Sequence, residues 1–233
     1  MNTFIGDAMT AEQPTLTPKA QETRQRIFDT AVKLFMEKGY EETTMRDIAA
    51  EADCSLGLAY RYFESKEVVV IQLYRQLAAN TKARIDGLPK LPVAERFYQI
   101  MTEVLQEIAP FRAVWQGIFG GALNPNSKYG VLGESTADIR AEMKSVFERL
   151  VTEASDAPKK PDQVAAFGML LYVTYLMTLL FWISDRSPDY KTTYQLLDFS
   201  RETLGLIRGA LVLPPVAKGM MRLASIVEQV FGG

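Results

Sequence analysis

The chain has 233 residues, a formal charge of −2, one cysteine and no histidine. That is enough length for a large core without metal or disulfide, and one thiol cannot form an internal bridge. The missing histidine excludes a Ser-His-Asp triad, a Cys-His pair and zinc sites built from imidazole or several thiols, so neither an enzyme nor a cofactor is expected.

Residues 1–17 mix Thr, Pro, Gly and Gln with little periodicity and read as a flexible arm. They have neither a basic start nor an unbroken apolar run, which argues against a signal peptide and makes a cytoplasmic protein the expectation. Pro18 suits the first position of a helix, where Ile27, Ala31, Leu34 and Phe35 recur at helical spacing up to a stop near Gly39. Thr44 can cap a second helix over 45–52, with Asp47 among its free N–H groups and Met45, Ile48, Ala49 and Ala52 as its apolar side. Ser55 can cap a third, ending at Tyr62 or Phe63, and Ser65 with Glu67 opens a fourth that runs to about residue 86.

Past Pro89 and Pro92, further helices are predicted near 93–109, 111–119, 128–155, 163–185, 190–210 and 215–231. Asn124, Pro125 and Asn126, then ASDAPKKPD and SDRSPD, supply the breaks. No strand pattern competes, so the fold class is all-α. Large apolar side chains in this half are candidates to line a cavity: Met101, Leu105, Phe111, Trp115, Phe119, Met143, Phe147, Tyr172, Tyr175 and Leu176. Such a lining suits a mostly apolar or aromatic small molecule, with Gln116 and Thr174 for polar contacts, although bulk core packing explains the same set. Glu103 and Glu107 lie one turn apart without a third ligand at matched spacing, so they read as a solvated pair and not as a metal site.

Gln163 to Ser184 is a run of 22 uncharged residues, long enough to cross a bilayer. A helical membrane-associated protein using 163–184 as its span is therefore the rival from another class, and it predicts partition into detergent. The favoured reading is a helix that is apolar all round because it is buried all round, between its own domain and a second subunit, with no membrane involved. The next helix supports this: Leu196, Leu197, Ser200, Leu204, Ile207 and Leu211 form one stripe and leave Arg201, Glu202 and Arg208 toward water. With Leu179 and Trp182 of the preceding helix, that stripe is the expected dimer contact, Trp182 serving there or as a core anchor.

The stretch CSLGLAYRYFESKE, residues 54–67, follows a short capped helix and a tight turn, which are helix-turn-helix proportions. In that geometry the second helix enters the DNA major groove. Gly57 removes a side chain where a DNA backbone comes close, the Tyr60 and Tyr62 hydroxyls can bond phosphates, and Lys66 adds a charged donor. Phe63 would anchor the helix on Ile27, Phe35 and Ile48. Bulk charge offers no support: residues 19–90 hold 12 Lys or Arg against 11 Asp or Glu, a net of +1. The aromatics equally suit a plain helical bundle, and spacing alone leaves both readings open.

TMRDIAAEADCSLGLAYRYFESKEVVV resembles the helix-turn-helix of TetR-type transcriptional regulators, matching at Thr44, Ile48, Ala49, Ala52, Ser55, Gly57, Tyr60, Tyr62, Phe63, Ser65, Lys66 and Glu67. FWISDRSPDYKTTYQLLDF resembles the junction of that family's dimerising helices. The resemblance implies an arm at 1–17, a three-helix DNA-binding domain at 18–66 and an effector-binding, dimerising domain at 67–233. It implies that Thr44 and Lys66 hold phosphates, that Tyr60 and Tyr62 contact the DNA backbone, and that Ser55, Leu56, Gly57 and Leu58 approach bases. It further implies a homodimer joined through the helices near 163–185 and 190–210, bound to a palindromic double-stranded operator as a repressor and released by a small apolar effector. An activator or a co-repressor-dependent regulator is the alternative. Three positions depart from the pattern. Asp53 replaces the usual turn glycine but tolerates a left-handed backbone; Cys54 replaces a branched apolar residue and reads as a core filler before a redox sensor; Leu56 and Leu58 suit thymine methyl groups.

Overall fold

The computed structural model describes residues 17–122, 130 and 133–231, and among these no strand occurs. The N-terminal unit is built from α1 (Pro18–Glu37), α2 (Met45–Glu51) and α3 (Leu56–Tyr62), followed by α4 (Lys66–Gly87). Thr17 caps α1 through Oγ1, which accepts from the Ala20 N–H, and Pro18 fills the first turn where no N–H is needed. The helix stops before Gly39, whose φ of +93° is a conformation side chains resist. The apolar stripe Ile27, Phe28, Ala31 and Phe35 meets Met45, Ile48 and Ala49 of α2, Ala59 of α3 and Phe63 just beyond it.

This core also takes Val69 and Val70 from α4 and Val114 from a distant helix, so a division at residues 66 and 67 falls at the start of an unbroken α4. The second core is formed by α4 with α5 (Val93–Ile108), α6 (Arg112–Ala122), α7 (Ala137–Thr152), α8 (Pro161–Ser184), α9 (Lys191–Ala210) and α10 (Pro214–Phe231). The helix expected over 128–155 is shorter than its pattern: Glu134–Thr136 forms a 3₁₀ turn, and much of 123–132 lies outside the described residues.

α8 explains the long apolar run. Its neighbours are α7, α10, α5, α6 and α9, and 56% of its most apolar window is buried within the chain. Gly168 permits this packing, because a Cβ there would stand 2.8 Å from Glu148 Cα and 2.9 Å from Glu148 N on α7. The end of α8 is fastened twice. Arg112 donates to the carbonyls of Trp182, Ile183 and Asp185, a cation at a helix C-terminus. The Asp185 carboxylate accepts from the Thr193 N–H at 2.9 Å, the Thr193 hydroxyl at 2.6 Å and the Ser187 N–H at 2.8 Å, tying α8 to α9 through a turn with Asp189 and Tyr190 in the left-handed region.

The expected single dimer stripe divides in two. Leu197, Leu204 and Leu211 are buried against their own chain, as are Leu179 and Trp182. Leu196 and Ser200 are half-exposed, Ile207 is exposed, and the fully outward apolar residues are Phe199 and Leu206. α9 has two apolar faces, one occupied by α5, and adjacent leucines such as Leu196 and Leu197 fall on different ones.

Candidate functional site

The α2–α3 unit is a capped helix, a four-residue turn and a second short helix. Thr44 and Asp47 form a reciprocal cap: the Asp47 N–H donates to Thr44 Oγ1 at 3.2 Å, and the Thr44 N–H donates to Asp47 Oδ2 at 2.9 Å. Hydrogen bonds from Thr44, then from Lys38, hold the Asp47 carboxyl down at about 2, so the cap is ionised at neutral pH. In the turn Asp53 takes a φ of 48°, and the Cys54 N–H closes back on the Ala49 carbonyl at 3.0 Å. Ser55 then caps α3, accepting from the Leu58 N–H at 3.1 Å.

α3 presents one exposed face, made by Gly57, Tyr60 and Arg61 at helical spacing, with Ser55 exposed at its start. Leu56, Tyr62 and Cys54 are half-buried against the N-terminal core, and Leu58 is also half-buried. Lys66 is turned to the α1–α2 turn: its ammonium donates to the Tyr40 carbonyl at 2.8 Å and the Glu41 carbonyl at 3.2 Å, and stands 4.3 Å from the centre of the Tyr40 ring. The Glu41 carboxylate lies 3.9 Å from the same ammonium, and two of its three N–H groups are used by the carbonyls. Two basic residues absent from the expected set occupy the surface. Arg46 on α2 and Arg61 on α3 are exposed and have no ion pair among the described residues, whereas Lys33 and Lys38 are paired with Glu51 and Asp47.

The C-terminal domain holds a half-open cavity of about 70 Å³ walled by α4, α5, α6, α7 and α8. Trp115, Met143, Tyr172, Tyr175 and Leu176 line it as expected, and Leu179, expected at the dimer contact, lines it too. Met101, Leu105 and Phe147 are fully buried in the surrounding core without lining it. Phe111 borders a separate cleft of about 530 Å³ between α1, α4 and α6, and the side chain of Phe119 lies outside the described residues. The unexpected wall residues include Tyr74, Thr136 and Arg140. Arg140 donates to the Gly133 carbonyl at 2.7 Å and to Thr136 Oγ1 at 3.0 Å. A sequence signal for it exists: it sits on the register of Met143 and Phe147, an apolar face that has no use for a charge unless something meets it. Burial raises the Tyr172 phenol to about 12 with Arg140 opposing, and burial also drives the Tyr74 and Tyr175 phenols up, so all three are protonated donors.

Family models for the N-terminal domain of bacterial regulatory proteins of the tetR family and for a tetracyclin repressor-like C-terminal domain match residues 27–73 and 95–212. The repressor KstR of Rhodococcus jostii (strain RHA1) is 30% identical over 185 residues, covering 77% of this chain and 82% of that one. The chain belongs to the TetR family. Solved TetR structures share its fold. A regulator from Nitrosomonas europaea superposes with a TM-score of 0.60 at 21% identity, covering 79% of this chain and 99% of its own. FadR of Thermus thermophilus, solved with lauroyl-CoA, superposes at 0.59 and 19%, covering 78% and 92%. As a TetR-family member the chain is a DNA-binding transcriptional regulator, with α2 and α3 as its helix-turn-helix.

One helix touches both halves of this TetR regulator. On α6, Val114 belongs to the DNA-binding core and Trp115, the next residue, walls the cavity. Gly117 crosses the α1–α2 turn so closely that a Cβ would stand 3.0 Å from Tyr40 Cβ.

Proposed function

We propose that the protein is a homodimeric repressor that reads a palindromic operator through α3 and leaves it when a small, mostly apolar effector enters the cavity. The observation that carries the DNA side is Gly57. It lies inside α3, outside the left-handed region, with nothing within 4 Å of where a Cβ would be. A glycine costs up to about 1 kcal/mol relative to alanine in a helix interior and less in the first turn, where Gly57 stands, and here neither conformation nor packing requires it. The bare backbone therefore serves a molecule outside the chain, on the same face as Tyr60 and Arg61. Thr44, Arg46, Tyr60, Arg61 and the remaining N–H of Lys66 are assigned to phosphates, and Ser55 and Gly57 to the groove floor. The assignments of Leu56 and Tyr62 weaken, since both are half-buried on the domain's own core.

Two copies reading half-sites roughly 34 Å apart need a two-fold contact. Met177 and Phe181 of α8 and Phe199 and Leu206 of α9 are exposed apolar residues beside a groove walled by Val173, Leu180 and Leu196, and a second copy is the occupant assigned to it. Coupling runs along α6: a ligand that displaces Trp115 moves Val114 and the Gly117–Tyr40 crossing with it. An effector favouring the released arrangement by about 3 kcal/mol changes relative occupancy roughly a hundredfold.

Selection of bound sequences from random duplex DNA, with and without a metabolite mixture, tests this reading. A symmetric consensus that weakens with one metabolite fraction is expected. A consensus strengthened by the mixture would establish the co-repressor alternative, and the lack of any consensus would end the operator reading.

A further inference from the structure

The cavity wall carries hydrogen-bonding capacity that the chain does not use. Trp115 is 5% exposed, and its buried indole N–H has no acceptor among the described residues. The buried Tyr74 hydroxyl likewise has no partner there. The two rings stack with centroids 5.8 Å apart and 18° between their planes, and both residues line the cavity. Native chains leave few buried donors unpaired, because each loses its bonds to water for nothing in return. An indole N–H can only donate, and burial keeps the Tyr74 phenol protonated. Arg140, 6% exposed, adds a positive charge to the same cavity, and no carboxylate is among the described residues that line it.

Building on the reading of this cavity as the effector site, we propose that the effector carries a hydrogen-bond acceptor, a carbonyl or carboxylate, on an apolar body. Trp115 and Tyr74 donate to that acceptor beside Arg140. The volumes divide the ligand accordingly. About 70 Å³ holds the acceptor and a few carbons, and a longer body has to displace wall residues such as Leu77, Ile108 and Trp115, which stand between this cavity and the cleft of about 530 Å³.

The test is calorimetric titration of the full-length protein with four matched probes: 4-butylbenzoate, its methyl ester, butylbenzene and 4-butylbenzylammonium. The benzoate and the ester are expected to bind at least tenfold more tightly than butylbenzene or the ammonium. Trp115→Phe and Tyr74→Phe should each cut that preference at least threefold, read within each variant as the ratio of benzoate to butylbenzene affinity. Tyr74→Phe keeps the ring and decides the matter should Trp115→Phe misfold. Equal binding of butylbenzene and the benzoate, or an undiminished preference in Tyr74→Phe, overturns the acceptor assignment and leaves the effector cavity standing. Binding of none of the four overturns both.

Discussion

Gly57 and Arg61 sit on the same face of α3 and separate folding from DNA binding in opposite ways. Gly57→Ala adds a methyl group to open space and improves helix propensity by up to about 1 kcal/mol, so thermal unfolding should move up, by at most about 2–4 °C. Operator affinity should fall on the order of tenfold or more, measured by fluorescence anisotropy; stabilisation with unchanged affinity would show that nothing approaches that backbone. Arg61→Ala should leave stability within about 0.5 kcal/mol. It should weaken binding to all duplexes and lower the slope of log K against log salt by about 0.9 per subunit. The phosphate role proposed for Arg61 was not legible in the sequence, because a net charge counts every basic residue equally. The fold withdraws Lys33 and Lys38 into pairs and turns Lys66 to the Tyr40 carbonyl, and only then does Arg61 stand apart.

Helix junctions carry the next set of expectations. Gly168→Ala would force a methyl into the backbone of α7, so the two helices must part or the chain must bend, at a cost of about 1–3 kcal/mol seen as a lower melting temperature. Asp185 joins α8 to α9 under a different control. Burial pushes its pKa up, but hydrogen bonds from Thr193 and Ser187 outweigh burial and hold it at about 2, below the ordinary value of roughly 3.9. A folded-state value below the unfolded one means the junction contributes fully above about pH 4 and is lost as the pH falls toward 2. Melting temperatures should drop across that window, and Asp185→Asn should start lower at neutral pH and drop less. The ends of these helices were legible from Pro, Gly and Asp punctuation, but the closeness of α7 and α8 was not. A glycine in an apolar run reads as a weak spot until the neighbour that requires it is known.

On the scale of the molecule, the dimer proposed at the α8–α9 face is what would let two recognition helices act together. Phe181→Glu with Phe199→Glu places charges where apolar burial worth about 1.5–3 kcal/mol per ring is assigned. Sedimentation should show monomers at micromolar concentration with unchanged helicity and no operator binding; a persistent dimer would move the interface elsewhere. Gly117→Ala tests the coupling between the halves, since the added methyl presses on Tyr40. Operator affinity should change by several-fold with the cavity ligand's own affinity altered in the linked direction, because coupling between sites is reciprocal.

Local chemistry was enough to place most of the helices and the caps at Thr44 and Ser55, because hydrophobic spacing and turn residues act over a few positions of chain, while the helix-turn-helix needed the family resemblance beside its spacing. The same local rules marked α8 as a helix without a polar face, from a run with no charge, and left burial and a membrane span as its two explanations. They could not say which apolar residues face a void, which meet a partner and which fill the core. Met101 and Met143 look alike in sequence, as do Leu196 and Leu197, and what separates each pair is the position of a helix dozens of residues away. The cavity, the division of α9 into two faces and the adjacent assignments of Val114 and Trp115 were settled only when α5, α6, α7, α9 and α10 packed around α8, since each depends on distances between segments that the chain does not hold near each other until it folds.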